Sequence, residues 1–255
     1  MTQQAYIPAR GLRGKFGRLA ARLFERDPIR IAPDRFVVSF TFDDFPRSAV
    51  ENGLPELEKR GWRGTWYAAA GFAGQRNHHG ALLEPDDLAQ LARSGHEIGC
   101  HTHNHIDLGQ APADRVYQEI DDNRISLANM GHAQSLTAFA YPYGESSPRT
   151  KRVLSGQFET LRGVRPGINR SGDDRHLLKS VGIDGGPEGI QRVLDFIAEG
   201  RETPGWLILY AHDIQDKPTE WGCTPADFRR VCEVVDDSGA SVLPVTDAYR
   251  SLVRS

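Results

Sequence analysis

The sequence has little cysteine: its 255 residues include only Cys100, Cys223 and Cys232. Three cysteines provide no disulfide framework and fit no zinc-ribbon spacing, so we expect reduced thiols in an intracellular setting. No run of about 18 apolar residues occurs, which excludes a membrane-spanning helix. No apolar signal core with a cleavage site opens the chain, so the expected location is the cytoplasm. The net charge of −3 shows no excess of positive charge, so nucleic acid is not an expected partner.

Apolar patterning predicts strands and helices in regular alternation from residue 35 to the end of the chain. The predicted strands cover 35–43, 64–70, 97–102, 137–143, 160–165, 179–183, 206–210 and 241–244. The predicted helices cover 46–60, 85–93, 112–130, 147–155, 188–200, 224–238 and 246–253, and a polar loop is expected over 71–80. This alternation is typical of parallel strands joined by helical crossovers. About seven such units in one chain favour an α/β fold of the (β/α) barrel type over an open sheet.

The first 34 residues are predicted to form an arm outside a barrel of residues 35–255. The arm has seven basic residues, Arg10, Arg13, Lys15, Arg18, Arg22, Arg26 and Arg30, and the apolar residues Leu12, Phe16, Leu19 and Leu23 recur among them at helical spacing. A basic amphipathic helix can lie on an anionic lipid surface. Residues 10–30 therefore predict peripheral contact with the inner membrane face. The alternative is that the apolar stripe packs under the barrel as a plug.

A histidine-rich stretch, 97–106, follows the turn signal of residues 94–96. His101 and His105 are four residues apart, a spacing that places two side chains on one face of a helical turn. The stretch is predicted to be a strand that runs into a loop or short helical turn. Because imidazole is the commonest metal ligand near neutral pH, these two residues are candidate ligands.

Polar residues follow several of the predicted strands: Asp43 and Asp44, His101 to His105, Tyr141 to Gly144, and His212 with Asp213. In barrels the chemistry lies at the carboxyl ends of the strands, so we expect these groups to meet.

The residue types at these strand ends predict metal-assisted hydrolysis of an amide or ester. Asp44, His101 and His105 provide one carboxylate and two imidazoles, the three-ligand set of a catalytic zinc site. Strand alternation is expected to point Asp43 away from Asp44, which leaves it free to act as a general base. His212 is the candidate general acid. Tyr143 lies in a proline-containing turn where a backbone N–H could face an oxyanion.

Four motifs of the chain, 41–44, 101–105, 141–144 and 209–212, resemble in order the successive motifs of the polysaccharide deacetylases. This family is also called carbohydrate esterase family four or the nodulation-factor deacetylase homology domain, and the resemblance extends over about residues 36–243. It implies a distorted (β/α) barrel of about seven parallel strands. It also implies that Asp43 is the base, that Asp44, His101 and His105 bind zinc or another divalent ion, and that His212 is the acid. The implied substrates are N-acetylated or O-acetylated sugars.

The chain departs from this family pattern at two motifs. The third motif of the family opens with an arginine, but Ala140 or Tyr141 stands there, and Arg165 is a candidate replacement. The acidic residue of the fourth motif has three candidates, Asp173, Asp174 and Asp184.

Several other polar residues have a structural interpretation beside the functional one. Cys100 is expected to be a packed thiol facing the barrel wall. His78 and His79 are expected in a loop that is solvated or, as the alternative, lies at the rim of the pocket. Asp213 either supports His212 or is a turn residue, and Trp221 is the tryptophan best placed to stack on a sugar.

The leading hypothesis is a metal-dependent deacetylase of an N-acetylated sugar. A cytoplasmic precursor of a surface glycan, nucleotide-linked or lipid-linked, is the preferred substrate. One alternative is a metal-independent or altered relative that opens a cyclic amide or ureide, but such relatives tend to lose metal ligands. The other is a non-catalytic carbohydrate-binding protein, which would not need Asp43 and His212.

Overall fold

The computed structural model describes residues 11–31 and 34–253. Residues 1–10 of the predicted arm lie outside the described residues, as do the side chains of Leu12 and Arg13. Within the described ranges the strands are β1 (Val37–Phe42), β2 (Thr65–Ala68), β3 (Arg76–Asn77), β4 (Gly80–Ala81), β5 (Glu97–Cys100), β6 (Ala138–Ala140), β7 (Thr160–Arg162), β8 (Val181–Gly182), β9 (Trp206–Ala211) and β10 (Ser241–Val242).

Helices connect most of these strands. They are α1 (Leu12–Leu23), α2 (Arg47–Asn52), α3 (Leu54–Glu58), α4 (Pro85–Arg93), α5 (Ala113–Asn129), α6 (Pro148–Ser155), α7 (Gly186–Glu202), α8 (Pro225–Asp237) and α9 (Val245–Leu252), with single 3₁₀ turns at Ala70–Phe72, Pro142–Gly144 and Arg175–Leu177. Among the described residues, no helix combines the length and the apolar character needed to cross a membrane.

Seven strands form one parallel sheet in the order β7-β6-β5-β2-β1-β9-β8, and β10 pairs with β1 beside it. The sheet curls until its two edges meet, because Leu178, just before β8, forms a parallel bridge with Arg162 of β7. At this closure, the N–H of Leu178 donates to the carbonyl oxygen of Leu161, and the N–H of Gly163 donates to the carbonyl oxygen of Leu178. The architecture is the expected distorted (β/α) barrel.

Alternate residues of the strands face the interior of the barrel and the surrounding helices. The interior cluster contains residues such as Val37, Tyr67 and Trp206, while Phe40 and Phe42 belong to the larger cluster under the helices. Small residues such as Ala138 and Ala140 also face inward. The same inward phase leads along the strands to Asp43, His101, Arg162 and His212, so strand alternation delivers these side chains to one mouth of the barrel.

Two local predictions were wrong. Residues 46–60 form two short helices, α2 and α3, rather than one, with Gly53 at the junction and Pro55 in the first turn of α3. Proline lacks the N–H that a continuous helix requires, which explains the break. Residues 71–80 are not a plain loop, because β3 and β4 pair there as an antiparallel hairpin whose tip is His78 and His79.

The N-terminal segment is tied to the barrel by a buried lysine. Lys151 of α6 donates to the carbonyl oxygens of Ala21 and Phe24, at 2.7 and 2.9 Å, and to Asp174 at 2.6 Å. Farther along, Ile29 and Ile31 are buried in the interior cluster with α9. The plug of the barrel is therefore this later segment.

The apolar stripe of α1 does not form that plug. Phe16, Leu19 and Leu23 of the stripe are 67%, 49% and 61% exposed, and Phe24, just after α1, is 60% exposed. The packing alternative is thus wrong for these three side chains of the stripe.

Candidate metal centre and active site

Asp43 and Asp44 follow the end of β1 and both are buried. Asp44 and the next residue, Phe45, adopt positive φ angles of 59° and 56°. The two carboxylates point in different directions because the backbone enters the left-handed region at Asp44. The prediction attributed this divergence to continued strand alternation, and that cause was wrong.

Asp43 is paired with a buried arginine from β7. Arg162 Nη2 donates to Asp43 Oδ1 at 2.5 Å, and the guanidinium lies between the rings of Tyr67 and Tyr210, 5.2 Å from each centroid. Burial alone would raise the pKa of Asp43, but the charge of Arg162, helped by His101, outweighs it and the pKa is lowered. Asp43 is therefore held ionised and fixed in orientation.

Asp44, His101 and His105 converge on one point. His101 Nε2 and His105 Nε2 are 3.2 Å apart, and Asp44 Oδ1 lies 3.2 Å from His105 Nε2 and 3.7 Å from His101 Nε2. His101 Nδ1 contacts the carbonyl oxygen of Ala140 at 2.8 Å. With the proton on Nδ1, the lone pair of His101 Nε2 faces the other two ligand atoms.

These distances fit a divalent cation. Metal–ligand bonds of about 2.0–2.1 Å in a tetrahedral site place ligand atoms about 3.3 Å apart. Asp44 Oδ1 is buried and has no hydrogen-bond partner among the residues described, although two imidazoles face it. Burial opposes ionisation of Asp44, but His105 and His101 lower its pKa well below the usual range. Burial lowers the pKa of His105 to about 4, so this imidazole is neutral and able to bind a metal at neutral pH.

The ligands are set by unusual backbone conformations. Of the two alternatives predicted after β5, a loop or a short helical turn, the structure has an irregular loop, with positive φ at Thr102 (59°) and His105 (51°). Tyr143, with a φ of 58°, is a further example. Within the described ranges six non-glycine residues have positive φ, and five of them, Asp44, Phe45, Thr102, His105 and Tyr143, lie at this mouth of the barrel. Strained residues cluster in this way at functional sites.

His212 and Tyr143 complete the predicted group. His212, half-buried after β9, has its Nδ1 3.2 Å from the carbonyl oxygen of Trp221, and burial lowers the pKa of its imidazole. The Tyr143 ring packs edge-on against His105 with centroids 4.3 Å apart. All six residues predicted for the site are thus brought together.

Sequence reasoning favoured a solvated loop for His79 and did not count it among the site residues, but the structure places it in this group. It is 2% exposed, its Nε2 is 3.7 Å from Asp44 Oδ2, and its ring stacks on His212 at 4.9 Å. Its Nδ1 lies 2.8 Å from Asp213 Oδ1. Asp213 therefore supports His79 and not His212.

Asp213 is fully buried and well satisfied. Besides contacting His79, it accepts hydrogen bonds from Thr219 and Gln215. Burial alone would raise the pKa of Asp213, but the hydrogen bonds with His79, Thr219 and Gln215 hold it well below the usual range. The sequence signals for the pair were the position of Asp213 just after a predicted strand and the short Asn-His-His-Gly turn of residues 77–80, which is compatible with a hairpin.

The arginine that faces Asp43 is Arg162, whereas Arg165 is half-exposed and lies 3.9 Å from Asp173. Cys100 is a buried thiol as expected, and Asn123 donates to its Sγ. Of the three acidic candidates, Asp173, Asp174 and Asp184 pair with Lys179, Lys151 and Arg192 respectively.

Comparison with known proteins relates this chain to one family. The family model described as polysaccharide deacetylase matches residues 30–157, just over half of the chain. The Bacillus subtilis (strain 168) protein YxkH, whose name refers to the same family, is 25% identical over 158 residues. That match covers 62% of this chain and 55% of YxkH, so the chain spans little more than half the length of this relative.

Solved structures share the fold at lower identity. A family 4 carbohydrate esterase from Streptomyces lividans in complex with acetate has a TM-score of 0.60 at 17% identity, covering 88% of this chain and 99% of that one. A family 4 acetyl xylan esterase from Clostridium thermocellum in complex with a cobalt ion has a TM-score of 0.60 at 20% identity, covering 84% and 91%. A CE4 family pseudoenzyme from Bacillus anthracis has a TM-score of 0.60 at 15% identity, covering 89% and 70%.

Proposed function

Because this chain belongs to the polysaccharide deacetylase family, we propose that it is a metal-dependent hydrolase that removes acetyl groups from an N-acetylated sugar. The observation that carries the proposal is the convergence of Asp44, His101 and His105 beside the ionised Asp43. The cobalt ion and the acetate bound by the two esterases of the same fold support it.

Asp44 Oδ1, His101 Nε2 and His105 Nε2 would hold the divalent cation, for which we propose zinc because two imidazoles and a carboxylate suit it. When bound there, the cation polarises the acetyl carbonyl and lowers the pKa of water.

The remaining groups move protons and orient the substrate. Asp43, kept ionised by Arg162, accepts a proton from the attacking water. As the amide C–N bond breaks, His212 Nε2 delivers a proton to the leaving amine, and the products are acetate and a free amino sugar. Tyr143, against His105, lies where it can line the acetyl pocket and support the developing oxyanion.

We propose a nucleotide-linked or lipid-linked glycan precursor as the substrate class. Trp221 supports a sugar-binding role because it is 36% exposed and its ring lies 5.2 Å from His78 at the site edge. Aromatic faces offer large contact area to a ligand at low entropic cost.

Two other functions are weaker candidates. A metal-independent relative acting on a cyclic amide or ureide would not need Asp44, His101 and His105 together. A non-catalytic role, as in the pseudoenzyme of the same fold, would not need a buried arginine that fixes Asp43. It would also not need His212 at the same mouth of the barrel.

Acetate release tests the proposal. The metal-free chain is reloaded with zinc and assayed on N-acetylated and O-acetylated sugars, free, nucleotide-linked and lipid-linked. We expect release from an N-acetylated substrate that disappears with chelator and with Asp43→Asn. Release that persists in the metal-free protein would contradict metal dependence. If none of the substrates releases acetate, the deacetylase assignment is contradicted.

We further propose that α1 places the barrel mouth at an anionic lipid surface. Phe16, Leu19 and Leu23 form an exposed apolar stripe flanked by the exposed Lys15 and Arg22. A basic residue near an anionic surface contributes about 1 kcal/mol to binding.

The position of α1 supports this orientation. Arg18 bonds to Glu145 at 2.8 Å, two residues beyond Tyr143 at the mouth. A lipid-linked substrate would therefore be presented close to the site.

Vesicle co-sedimentation distinguishes this arrangement from a solvated helix. Phe16→Ser with Leu23→Ser should reduce binding to vesicles rich in anionic lipid at low salt. Tyr117→Ser with Ile125→Ser on α5 is the matched control, since these residues are 50% and 59% exposed elsewhere on the surface. Equal sedimentation of wild type and both variants would exclude the lipid role.

A further inference from the structure

The two carboxylate oxygens of Asp44 face different histidines. Oδ1 faces His101 and His105, whereas Oδ2 lies 3.7 Å from His79 Nε2. Ligand atoms of Asp44, His79 and His212 all lie within 4.8 Å of one another, as do those of the first group. Asp44 is the one residue common to the two groups among the residues described.

Both additional imidazoles are oriented as metal ligands are. His79 Nδ1 lies 2.8 Å from the buried carboxylate of Asp213, and His212 Nδ1 lies 3.2 Å from the carbonyl oxygen of Trp221. A carboxylate or a backbone carbonyl on the far ring nitrogen is the usual support of a metal-binding histidine, because it fixes the tautomer and the ring plane. In each ring this leaves Nε2 as the free ligand atom.

The surroundings hold these two rings in place. They stack on each other, with centroids 4.9 Å apart and an interplanar angle of 10°. Asp213 is itself fixed by Thr219 and Gln215. The group is thus rigid before any ligand binds, which reduces the cost of binding.

We propose that Asp44 Oδ2, His79 Nε2 and His212 Nε2 form a second divalent-cation site that shares the Asp44 carboxylate with the first. The donor set, two imidazoles and one carboxylate, is the same as in the first group and suits zinc or cobalt. A carboxylate that bridges two cations about 3.5–4 Å apart is a recurrent arrangement in two-metal enzymes. The site goes beyond the proposed hydrolysis, which requires a single cation.

The second site has a regulatory consequence that does rest on the proposed function. A cation on His212 Nε2 occupies the nitrogen that delivers the proton to the leaving amine. Excess divalent metal therefore inhibits acetate release, and the cell's free metal concentration sets the fraction of active protein.

Metal stoichiometry tests the site without any activity assay. The metal-free full-length chain is dialysed against increasing zinc or cobalt, and bound metal is measured by elemental analysis. We expect two equivalents in the wild type, the second weaker than the first. His79→Phe keeps a ring that can stack on His212 but has no ligand atom, so it should keep the first equivalent and lose the second.

Matched variants make the result specific. His78→Ala, at the neighbouring position of the hairpin tip, should retain both equivalents, whereas Asp213→Asn should weaken the second about 10–100-fold. Circular dichroism shows whether each variant is folded. If His79→Phe does not fold, His79→Ala is used in its place. Saturation of the wild type at one equivalent, or two equivalents in the folded His79 variant, overturns the proposal.

The first site is tested separately in the same experiment. His101→Ala should lose the first equivalent, and a failure of that result would count against the proposed hydrolytic centre and not against the second site.

Discussion

Replacing Arg162 with methionine should leave Asp43 buried without its counter-ion. The pair is 2.5 Å long, Arg162 is fully buried and Asp43 is 3% exposed. With the two charges about 4 Å apart and an effective dielectric constant of about 20, their attraction is about 4 kcal/mol. Removing one partner of a buried ion pair costs about 3–5 kcal/mol by mutagenesis, which agrees with this value. That is a large part of the roughly 5–15 kcal/mol by which a protein of this kind is stable.

The pH dependence of the loss has a definite sign. The pKa of Asp43 is lowered in the folded chain, so its ion pair stabilises the fold above the unfolded pKa and the contribution is lost as pH falls through the folded pKa. The stability difference between Arg162→Met and wild type should therefore be largest near neutral pH and shrink in acid. In the zinc-loaded enzyme the acidic limb of kcat/KM should move up by about 3 pH units, the equivalent of 4 kcal/mol.

Urea unfolding across pH and the pH profile of acetate release measure these two effects. Arg165→Met is the matched control, because Arg165 is half-exposed and its ion pair with Asp173 is long, at 3.9 Å. It should change stability by less than about 1 kcal/mol, as exposed ion pairs do. A loss of under 1 kcal/mol for Arg162→Met, or an unmoved acidic limb, would refute the role of Arg162 in holding Asp43 ionised.

Two further predictions concern the metal ligands and the N-terminal segment. His105→Ala should keep the fold but lose most zinc bound at the first site, and elemental analysis showing that site still filled would contradict the ligand assignment. Lys151→Met should cost about 3–5 kcal/mol of stability, since it leaves Asp174 and two carbonyl oxygens of the α1 segment without their buried donor. Urea unfolding and the rate of proteolysis at residues 22–26 measure it; adding Asp174→Asn should recover part of the loss, and an unchanged midpoint for Lys151→Met would contradict the anchor.

The sequence was sufficient for the architecture, and it named six residues that the structure brings together at one mouth of the barrel. Apolar periodicity places each main strand, and the carboxyl ends of parallel strands must meet at one mouth of a barrel. The predicted strands 35–43 and 97–102 are too long at those ends, because the chain there enters left-handed conformations at Asp44 and Thr102. Periodicity carries no signal for such turns.

Arg162 and His79 could not be placed by local pattern because their partners are distant in sequence. Arg162 meets Asp43 across 119 residues, and His79 meets Asp213 across 134. For Arg162 one signal existed: it shares the inward phase of β7 with Thr160, opposite the outward Leu161. A charged residue in the inward phase at the carboxyl end of a barrel strand is a candidate site residue, whereas Arg165 lies beyond the strand.

The left-handed residues at the mouth of the barrel predict how the protein would respond to laboratory evolution. Each such conformation costs about 1–2 kcal/mol for most side chains, and glycine or asparagine adopts it more easily. Selection for thermal tolerance alone would therefore favour glycine or asparagine at Thr102 and His105, and at Asp44 it would also remove a buried charge. Two of those three positions supply candidate metal ligands, so the most thermostable variants selected in this way would be inactive. A screen that alternates selection for heat resistance with selection for activity would be needed to raise thermal stability and retain activity.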